Sequence, residues 1–78
     1  MNMKLSAAQI GATYNVDEIH LNENVKRRLQ MLGMTNNTEI TVLNRKYSGA
    51  VIIKMRGTRF ALGRKYAEGI SLTARNTK

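Results

Sequence analysis

The chain has 78 residues, with 13 Lys and Arg against 5 Asp and Glu, so its formal net charge is +8 at pH 7. A chain this short buries only about 60–65% of the surface that its unfolded form exposes, which predicts one small domain with little room for a catalytic cleft. The absence of Cys excludes a disulfide framework and a thiolate metal site, whereas the positive charge favours anionic partners.

The hydropathy pattern predicts neither a signal peptide nor a membrane span. The N-terminal residues MNMKLSAAQI contain no long apolar stretch. The longest uninterrupted apolar run extends only from Ala50 to Ile53, whereas a spanning helix needs about 20 residues. We therefore expect a soluble, cytoplasmic protein without direct insertion into a membrane.

The first elements in chain order are a helical turn and a strand. A helical turn from Leu5 to Ile10 would stop at Gly11. From Thr13 to Leu21, β-branched and apolar residues alternate with polar ones, which favours a strand. The alternation is imperfect, and this indicates a bend or a bulge.

The segment from Asn22 to Leu32 predicts the longest helix of the chain. Either Asn22 or Asn24 can cap its N-terminus. Three apolar residues at i, i+4 and i+7 share one face: Val25, Leu29 and Leu32. Gly33 stands where a left-handed residue ends a helix, so Met34 would contact Leu29 in a Schellman ending.

The second half of the chain predicts strands. Asn36-Asn37 forms a turn before a strand from Thr38 to Leu43, and residues 44–49 form a loop. Val51 to Arg56 is the next strand, and Gly57-Thr58 suits a two-residue type II′ hairpin loop.

This hairpin loop sets a register between its two strands. The predicted opposite pairs are Arg56 with Arg59, Met55 with Phe60, and Ile53 with Leu62. Five apolar residues of the two strands then share one face, which supports the assignment: Val51, Ile53, Met55, Phe60 and Leu62. After Gly63, Arg64 to Glu68 forms one helical turn that ends at Gly69, and residues 70–72 form a last short strand.

Five short strands with one helix inserted after the first predict a mostly-β domain shaped as a small, strongly bent β-barrel. We expect residues 1–4 and 73–78 to be frayed, so that one ordered domain extends over about 5–72. Periodicity assigns these residues to the core: Val25, Leu29, Leu32, Ile40, Val42, Val51, Ile53, Met55, Phe60, Leu62 and Ile70.

Catalysis and metal binding find little support in the sequence. The five carboxylates are scattered, whereas acid–base catalysis needs paired titratable groups in a sheltered pocket. We therefore predict no catalytic residue and no intrinsic cofactor. Glu18 and His20, at i and i+2, are the only candidates for a divalent ion, and a stable site usually needs three or four ligands. A solvated surface histidine is the preferred interpretation.

The basic residues are the informative signal. Seven Lys or Arg lie between positions 45 and 65, and no Asp or Glu does. The predicted register opposes Arg56 to Arg59, with Lys54 on the same outer face, and opposed like charges are mildly destabilising unless an anionic partner relieves them. Lys26 and Arg27, on the polar side of the helix, form a second candidate surface. The alternative is that these side chains simply extend into water.

Nucleic acid is one candidate for the anionic partner. Small barrels bind single strands through aromatic platforms and a basic groove. The aromatic residues of this chain are Tyr14, Tyr47, Phe60 and Tyr66. Phe60 is assigned to the core, and the tyrosines do not alternate with the basic strand positions, so this interpretation ranks below a protein partner.

Two stretches of the chain resemble a known family. KRRLQMLGMTNNTEITVL resembles the helix-to-strand segment of the FeoA family of bacterial ferrous iron transport proteins, in which Arg-Leu-x-x-Leu-Gly precedes a Pro-Gly turn. IIKMRGTRFALGRKYAEGISL is similar to the C-terminal half of that family. The resemblance covers about residues 5–72. It departs at Asn36-Asn37, which replaces Pro-Gly, and at Gly63, where a basic residue is more usual.

The resemblance implies an SH3-like β-barrel and an accessory role beside the membrane transporter FeoB, whose cytosolic part carries a GTP-binding domain. It also implies an association with metal ions such as Fe²⁺, although these residues make no strong site. The same barrel occurs in repressors related to the diphtheria toxin repressor. We thus expect a non-enzymatic adaptor of ferrous iron uptake, recruited by the transporter. The alternatives are a small basic nucleic-acid-binding barrel and a metal-binding regulatory module.

Overall fold

The computed structural model describes residues 2–74 of the chain. The elements follow in chain order: β1 (Asn2–Lys4), a 3₁₀ turn (Leu5–Ala7), β2 (Thr13–Ile19), α1 (Glu23–Met31), β3 (Glu39–Arg45), β4 (Val51–Met55), β5 (Thr58–Leu62), α2 (Arg64–Gly69) and β6 (Ile70–Ala74). All strand pairs are antiparallel. The mostly-β class, with a helix inserted after the strand at 13–19, is confirmed. No helix within residues 2–74 is long and apolar enough to cross a membrane.

The strands form one sheet in the order β1-β6-β2-β3-β4-β5. Its edges are β1 and β5, and no ladder joins them within the described part of the chain. The prediction of five strands is therefore one strand short. The sheet is bent by bulges in β2, between Val16 and Glu18, and in β3, between Val42 and Asn44, but its closure into a barrel is not shown.

The additional strand is β1, and its pairing with β6 shows that the ordered domain extends beyond the predicted ends. Asn2 to Lys4 pair with Ser71 to Thr73 of β6, so residues 2–4, 73 and 74 are strand rather than frayed chain. A three-residue strand is too short to show period-two alternation, which is why the sequence pattern missed it. The prediction for residues 1 and 75–78 lies outside the described residues.

The N-terminus of α1 agrees with the sequence prediction. Asn22 is its N-cap, and the Asn22 Oδ1 accepts a hydrogen bond of 2.9 Å from the Val25 N–H. Leu29 is buried and Val25 is half-buried against the core. Leu32 is 50% exposed, so its assignment to the core is wrong.

The ending of α1 explains the exposure of Leu32. Gly33 has a φ of +110°, and the Met34 N–H donates to the Leu29 carbonyl at 2.9 Å while the Gly33 N–H donates to the Gln30 carbonyl at 3.0 Å. These two bonds define the Schellman ending that was predicted. The turn brings Met34 back over Leu29, and Met34 is buried where helical periodicity had placed Leu32.

The β4–β5 hairpin has a different register from the predicted one. Its two-residue loop is Arg56-Gly57, and both residues have positive φ, +54° and +79°, as a type I′ turn requires. The observed pairs are Met55 with Thr58, Lys54 with Arg59, Ile53 with Phe60 and Val51 with Leu62. The predicted Arg56–Arg59 pair is therefore wrong. The sequence suggested type II′ because Gly57-Thr58 has the Gly-X form of that turn, whereas the observed loop requires a left-handed backbone that Arg rarely adopts.

The shift moves each partner by two residues, so it preserves the face on which each side chain lies. Most of the predicted core is confirmed as buried, while Phe60 is only half-buried. The buried residues that the prediction did not include are Leu5, Ala8, Tyr14, Val16, Ile19, Met34, Ala67 and Leu72. Several of these lie in the 3₁₀ turn, α2 and the strands β2 and β6, where the sequence pattern is short or irregular.

Candidate interaction surfaces

His20 and Glu18 lie together at the end of β2, as their i, i+2 spacing predicts. The His20 Nε2 is 3.3 Å from the Glu18 Oε1, and both side chains are more than half exposed. Within residues 2–74, no group of three His, Cys, Asp or Glu side chains is placed to hold a metal ion. Two exposed ligands do not make a stable divalent-metal site, so the donor set does not fit a resident metal.

A shallow depression of about 350 Å³ adjoins this pair. Lys4, His20 and Glu68 contribute its charged or titratable groups, and Met3 and Ile70 contribute apolar surface. A cationic Lys4 beside the carboxylate disfavours a bound cation there. The arrangement offers mixed charge but no sheltered pair of acid and base.

The hairpin carries the first predicted basic surface, which we call the hairpin surface: Lys54, Arg56 and Arg59. All three side chains are exposed. Lys54 lies directly opposite Arg59 across β4 and β5, so two like charges do face each other, although the pair differs from the predicted one.

Arg56 lies apart from this pair, in the turn. A Cβ built on Gly33 would lie 3.0 Å from both Cδ and Nε of Arg56, so the Arg56 side chain packs over the end of α1. A cation at this place adjoins the helix carbonyl groups that carry the negative end of the helix dipole. The Arg56 guanidinium, which belongs to the hairpin turn, therefore lies against the end of α1.

The second predicted surface lies on α1. Arg27 is exposed and Lys26 is half-buried. Arg28 and Met31, which the predicted surface does not include, are also exposed, Met31 at 82%. Arg27 and Arg28 stand four and three residues before Met31, so they flank it on the helix surface. Helical spacing on the polar side of α1 was the signal that could have found them.

The hairpin surface reaches the end of α1 at Gly33. Arg56 reaches the end of α1 from the hairpin, and Arg28 lies in the last turn of the helix. We call the combined region the hairpin end: Lys26, Arg27, Arg28, Met31, Leu32, Lys54, Arg56 and Arg59. It combines exposed apolar side chains with surrounding cations, a composition that suits an acidic protein surface with an apolar centre.

Comparison with known families identifies the chain. A family model described as the FeoA domain matches residues 3–74. The chain belongs to the FeoA family. This family is associated with ferrous iron transport. Among curated protein sequences, none matches the chain significantly.

Solved structures of FeoA proteins superpose closely on this chain. The FeoA protein from Chlorobium tepidum is 29% identical with a TM-score of 0.85, and the match covers 92% of this chain and 70% of that one. A FeoA described as an iron uptake regulatory protein is 30% identical with a TM-score of 0.80, covering 92% and 94% of the two chains.

The FeoA from Stenotrophomonas maltophilia was solved in complex with zinc and is described as a prokaryotic SH3 domain protein. It is 25% identical with a TM-score of 0.77, and the match covers 91% of this chain and 89% of that one. A manganese-dependent transcriptional repressor shares the fold at 21% identity and a TM-score of 0.86, over 42% of its own chain.

Proposed function

We propose that this chain is a non-enzymatic accessory protein of ferrous iron uptake that binds the cytosolic part of a FeoB-like GTP-binding membrane transporter. The observation that carries the proposal is the match of the FeoA domain to residues 3–74, nearly the whole chain. Solved relatives are described in terms of iron uptake regulation and ferrous iron transport. A cytoplasmic location follows from this role.

The hairpin end is the docking surface that we assign to this partner. Lys54 and Arg59 face each other without an acidic residue between them in the pairing of β4 and β5, so an acidic partner surface would relieve their repulsion. Met31 and Leu32 provide apolar area that a protein partner would cover. Charges around such a contact act mainly on the rate of association.

The experiment measures association of the chain with the purified cytosolic domain of the transporter at two salt concentrations. The double variant Arg56→Glu with Arg59→Glu should associate about tenfold more slowly at low salt and show a flatter salt dependence. The matched control is Lys46→Glu with Lys65→Glu, which makes the same change in net charge at the opposite end of the sheet and should associate much faster than the hairpin variant.

Circular dichroism must first show that both variants fold. A folded hairpin variant that associates as fast as the wild type at both salt concentrations would remove the hairpin end from the proposal. If the wild type itself fails to bind the transporter but binds random single-stranded RNA in a salt-dependent manner, the nucleic-acid alternative replaces the adaptor.

A further inference from the structure

The end of the sheet opposite the hairpin brings together segments that are distant in the sequence. Arg45, Val51 and Leu62 lie in one row across β3, β4 and β5. The turn at 46–50 and the start of α2 therefore leave the sheet at the same end. We call this region the loop end, and it comprises Ile10, Arg45, Lys46, Tyr47, Arg64, Lys65 and Tyr66.

Specific contacts hold these segments against one another. A Cβ built on Gly49 would lie 2.9 Å from both Cγ and Cδ of Arg64, so the Arg64 side chain packs directly on the turn. The Arg45 guanidinium donates a hydrogen bond to the Ala8 carbonyl, which attaches the segment before β2 to the same end. The loop end is thus a formed surface rather than a set of independent loops.

Apolar and aromatic side chains protrude from this surface. The β3–β4 turn is closed by a 2.9 Å hydrogen bond from the Gly49 N–H to the Lys46 carbonyl. This turn holds Tyr47 fully exposed at its tip. Ile10 is 56% exposed, and Tyr66 is also exposed. Together they are three of the five large exposed hydrophobic residues within the described part of the chain.

The protruding side chains stand among cations. Arg45, Lys46, Arg64 and Lys65 contribute four positive charges, and Glu68, at 3.2 Å from the Arg64 Nε, offsets one of them. Clusters of Lys and Arg are attracted to anionic lipid headgroups. Tyr is enriched where protein meets the membrane–water interface, because its ring is apolar and its hydroxyl is polar.

We propose that the loop end is a peripheral docking surface for an anionic lipid bilayer, with Tyr47 resting at the level of the headgroups. Tyr47 stands fully exposed at the tip of its turn, where a flat bilayer can reach it. A concavity of about 430 Å³ beside residues 63–66 is lined by one short stretch, whereas a single-stranded nucleic acid needs a groove that tracks several nucleotides.

This inference goes beyond the proposed function, since it concerns lipid and a second surface. A net excess of three cations and a few exposed side chains gives weak, reversible membrane binding, because stable anchoring takes more than one such signal. Docking would set the orientation of the chain at the bilayer and leave the hairpin end available to a membrane-embedded partner. If the chain contacts the bilayer and the membrane-embedded partner at the same time, binding to one raises the effective concentration for binding to the other.

The absence of Trp from the chain allows a direct test. The variant Tyr47→Trp places a single indole fluorophore at the loop end, and Met31→Trp places one at the hairpin end, at similarly exposed positions. Large unilamellar vesicles of phosphatidylglycerol and phosphatidylcholine at low salt should shift the indole emission of the Tyr47→Trp protein to the blue. Pure phosphatidylcholine should cause no shift in this protein, and the emission of the Met31→Trp protein should not respond to either type of vesicle.

Charge variants give a second measurement on the same vesicles. Lys46→Gln with Lys65→Gln should reduce co-sedimentation of the Tyr47→Trp protein about tenfold or more, because two cations are removed from the contact. Lys54→Gln with Arg59→Gln removes the same charge from the hairpin end and should have a smaller effect.

The proposal is overturned if the emission of the Tyr47→Trp protein does not respond to anionic vesicles, whether or not an oligouridylate RNA quenches it. It is equally overturned if the Met31→Trp protein shows the blue shift in place of the Tyr47→Trp protein, or if the two charge variants lose binding equally. None of these results bears on binding to the transporter domain, which is measured without lipid.

Discussion

The two basic ends of the sheet are built in different ways. At the hairpin end, the cations depend on local backbone geometry: Arg56 has a φ of +54°, and its side chain lies over Gly33, which has a φ of +110°. At the loop end, the cations of the turn and of α2 are brought together by the packing of Arg64 on Gly49.

The two ends therefore carry similar charge, but different structural features hold their cations in place. The hairpin end is sensitive to the register of one hairpin and to the ending of one helix. The loop end is sensitive to the approach of segments that are far apart in sequence. Substitutions should therefore be able to perturb one end while the other is left intact.

The largest expected change in the free energy of unfolding comes from weakening the packing of α1, the helix that contributes to the hairpin end. Leu29→Ala should lower the free energy of unfolding by about 2–5 kcal/mol, because a buried apolar side chain is replaced by a cavity. Leu32→Ala, at the exposed end of the same helix, should change it by less than about 0.5 kcal/mol. Urea denaturation measures both, and equal losses would contradict the observed ending of α1.

The next effect concerns the contact between the hairpin and α1. Gly33→Ala should cost about 1–2 kcal/mol from its left-handed backbone, and its new Cβ would also displace Arg56. Gly57→Ala is the matched control, since it too has a positive φ but no atom lies within 4 Å of the added Cβ.

A double-mutant cycle separates the two contributions. In an Arg56→Ala background, Gly33→Ala should lose the part of its cost that the side-chain clash adds, while the cost of Gly57→Ala stays the same. If the cost of Gly33→Ala is unchanged in that background, Arg56 does not pack over the end of α1 in solution.

A smaller effect tests the hairpin register itself. Arg59→Glu should raise the free energy of unfolding by about 0.2–1 kcal/mol, because it replaces a like-charge pair with Lys54 by an opposite-charge pair. The gain should disappear in a Lys54→Ala background and persist in an Arg56→Ala background. The reverse pattern would support the register that places Arg56 opposite Arg59.

No tight metal binding is expected at either basic end, because within residues 2–74 the candidate donor pair lies at the end of β2. Glu18 and His20 supply two exposed ligands, so anaerobic calorimetry with Fe²⁺ should show no one-to-one binding at micromolar affinity. Zn²⁺ should behave in the same way. Tight one-to-one binding that is lost in His20→Ala would establish a site that the donor set does not predict.

Local signals predicted the parts of the fold whose constraints lie close together in the chain. Asn22 was placed as an N-cap because a side-chain oxygen can reach a helix N–H three residues later. Gly33 was placed at the helix ending because few other residues accept its backbone conformation. Asn37, with a φ of +71°, likewise occupies the turn that was predicted for it.

The errors occurred where distant groups decide the outcome. β1 exists because β6 supplies its partner, and three residues carry no periodicity of their own. The type I′ loop at Arg56-Gly57 is less favourable locally than the predicted type II′ loop, but it is the loop that fits the observed pairing of β4 with β5.

The same distinction between local and distant interactions applies to the candidate surfaces. The sequence identified the cations of the hairpin and of α1, because charge can be counted without a structure. It did not show that Arg56 packs over the end of α1 at Gly33, or that the segments 45–47 and 64–66 meet at one end of the sheet. Each tyrosine directly follows an Arg-Lys pair in the sequence, but the two segments are far apart in the chain, so no spacing shows that they meet.

By itself, the amino-acid sequence determined the mostly-β class, the inserted helix with its cap and its ending, the FeoA resemblance and the basic character of the chain. These follow from interactions within a few residues and from charge, which do not depend on the rest of the fold. Only the tertiary structure decided the sixth strand, the hairpin register and the composition of the two basic ends. Each of these depends on side chains and backbone groups that meet only when the sheet has formed.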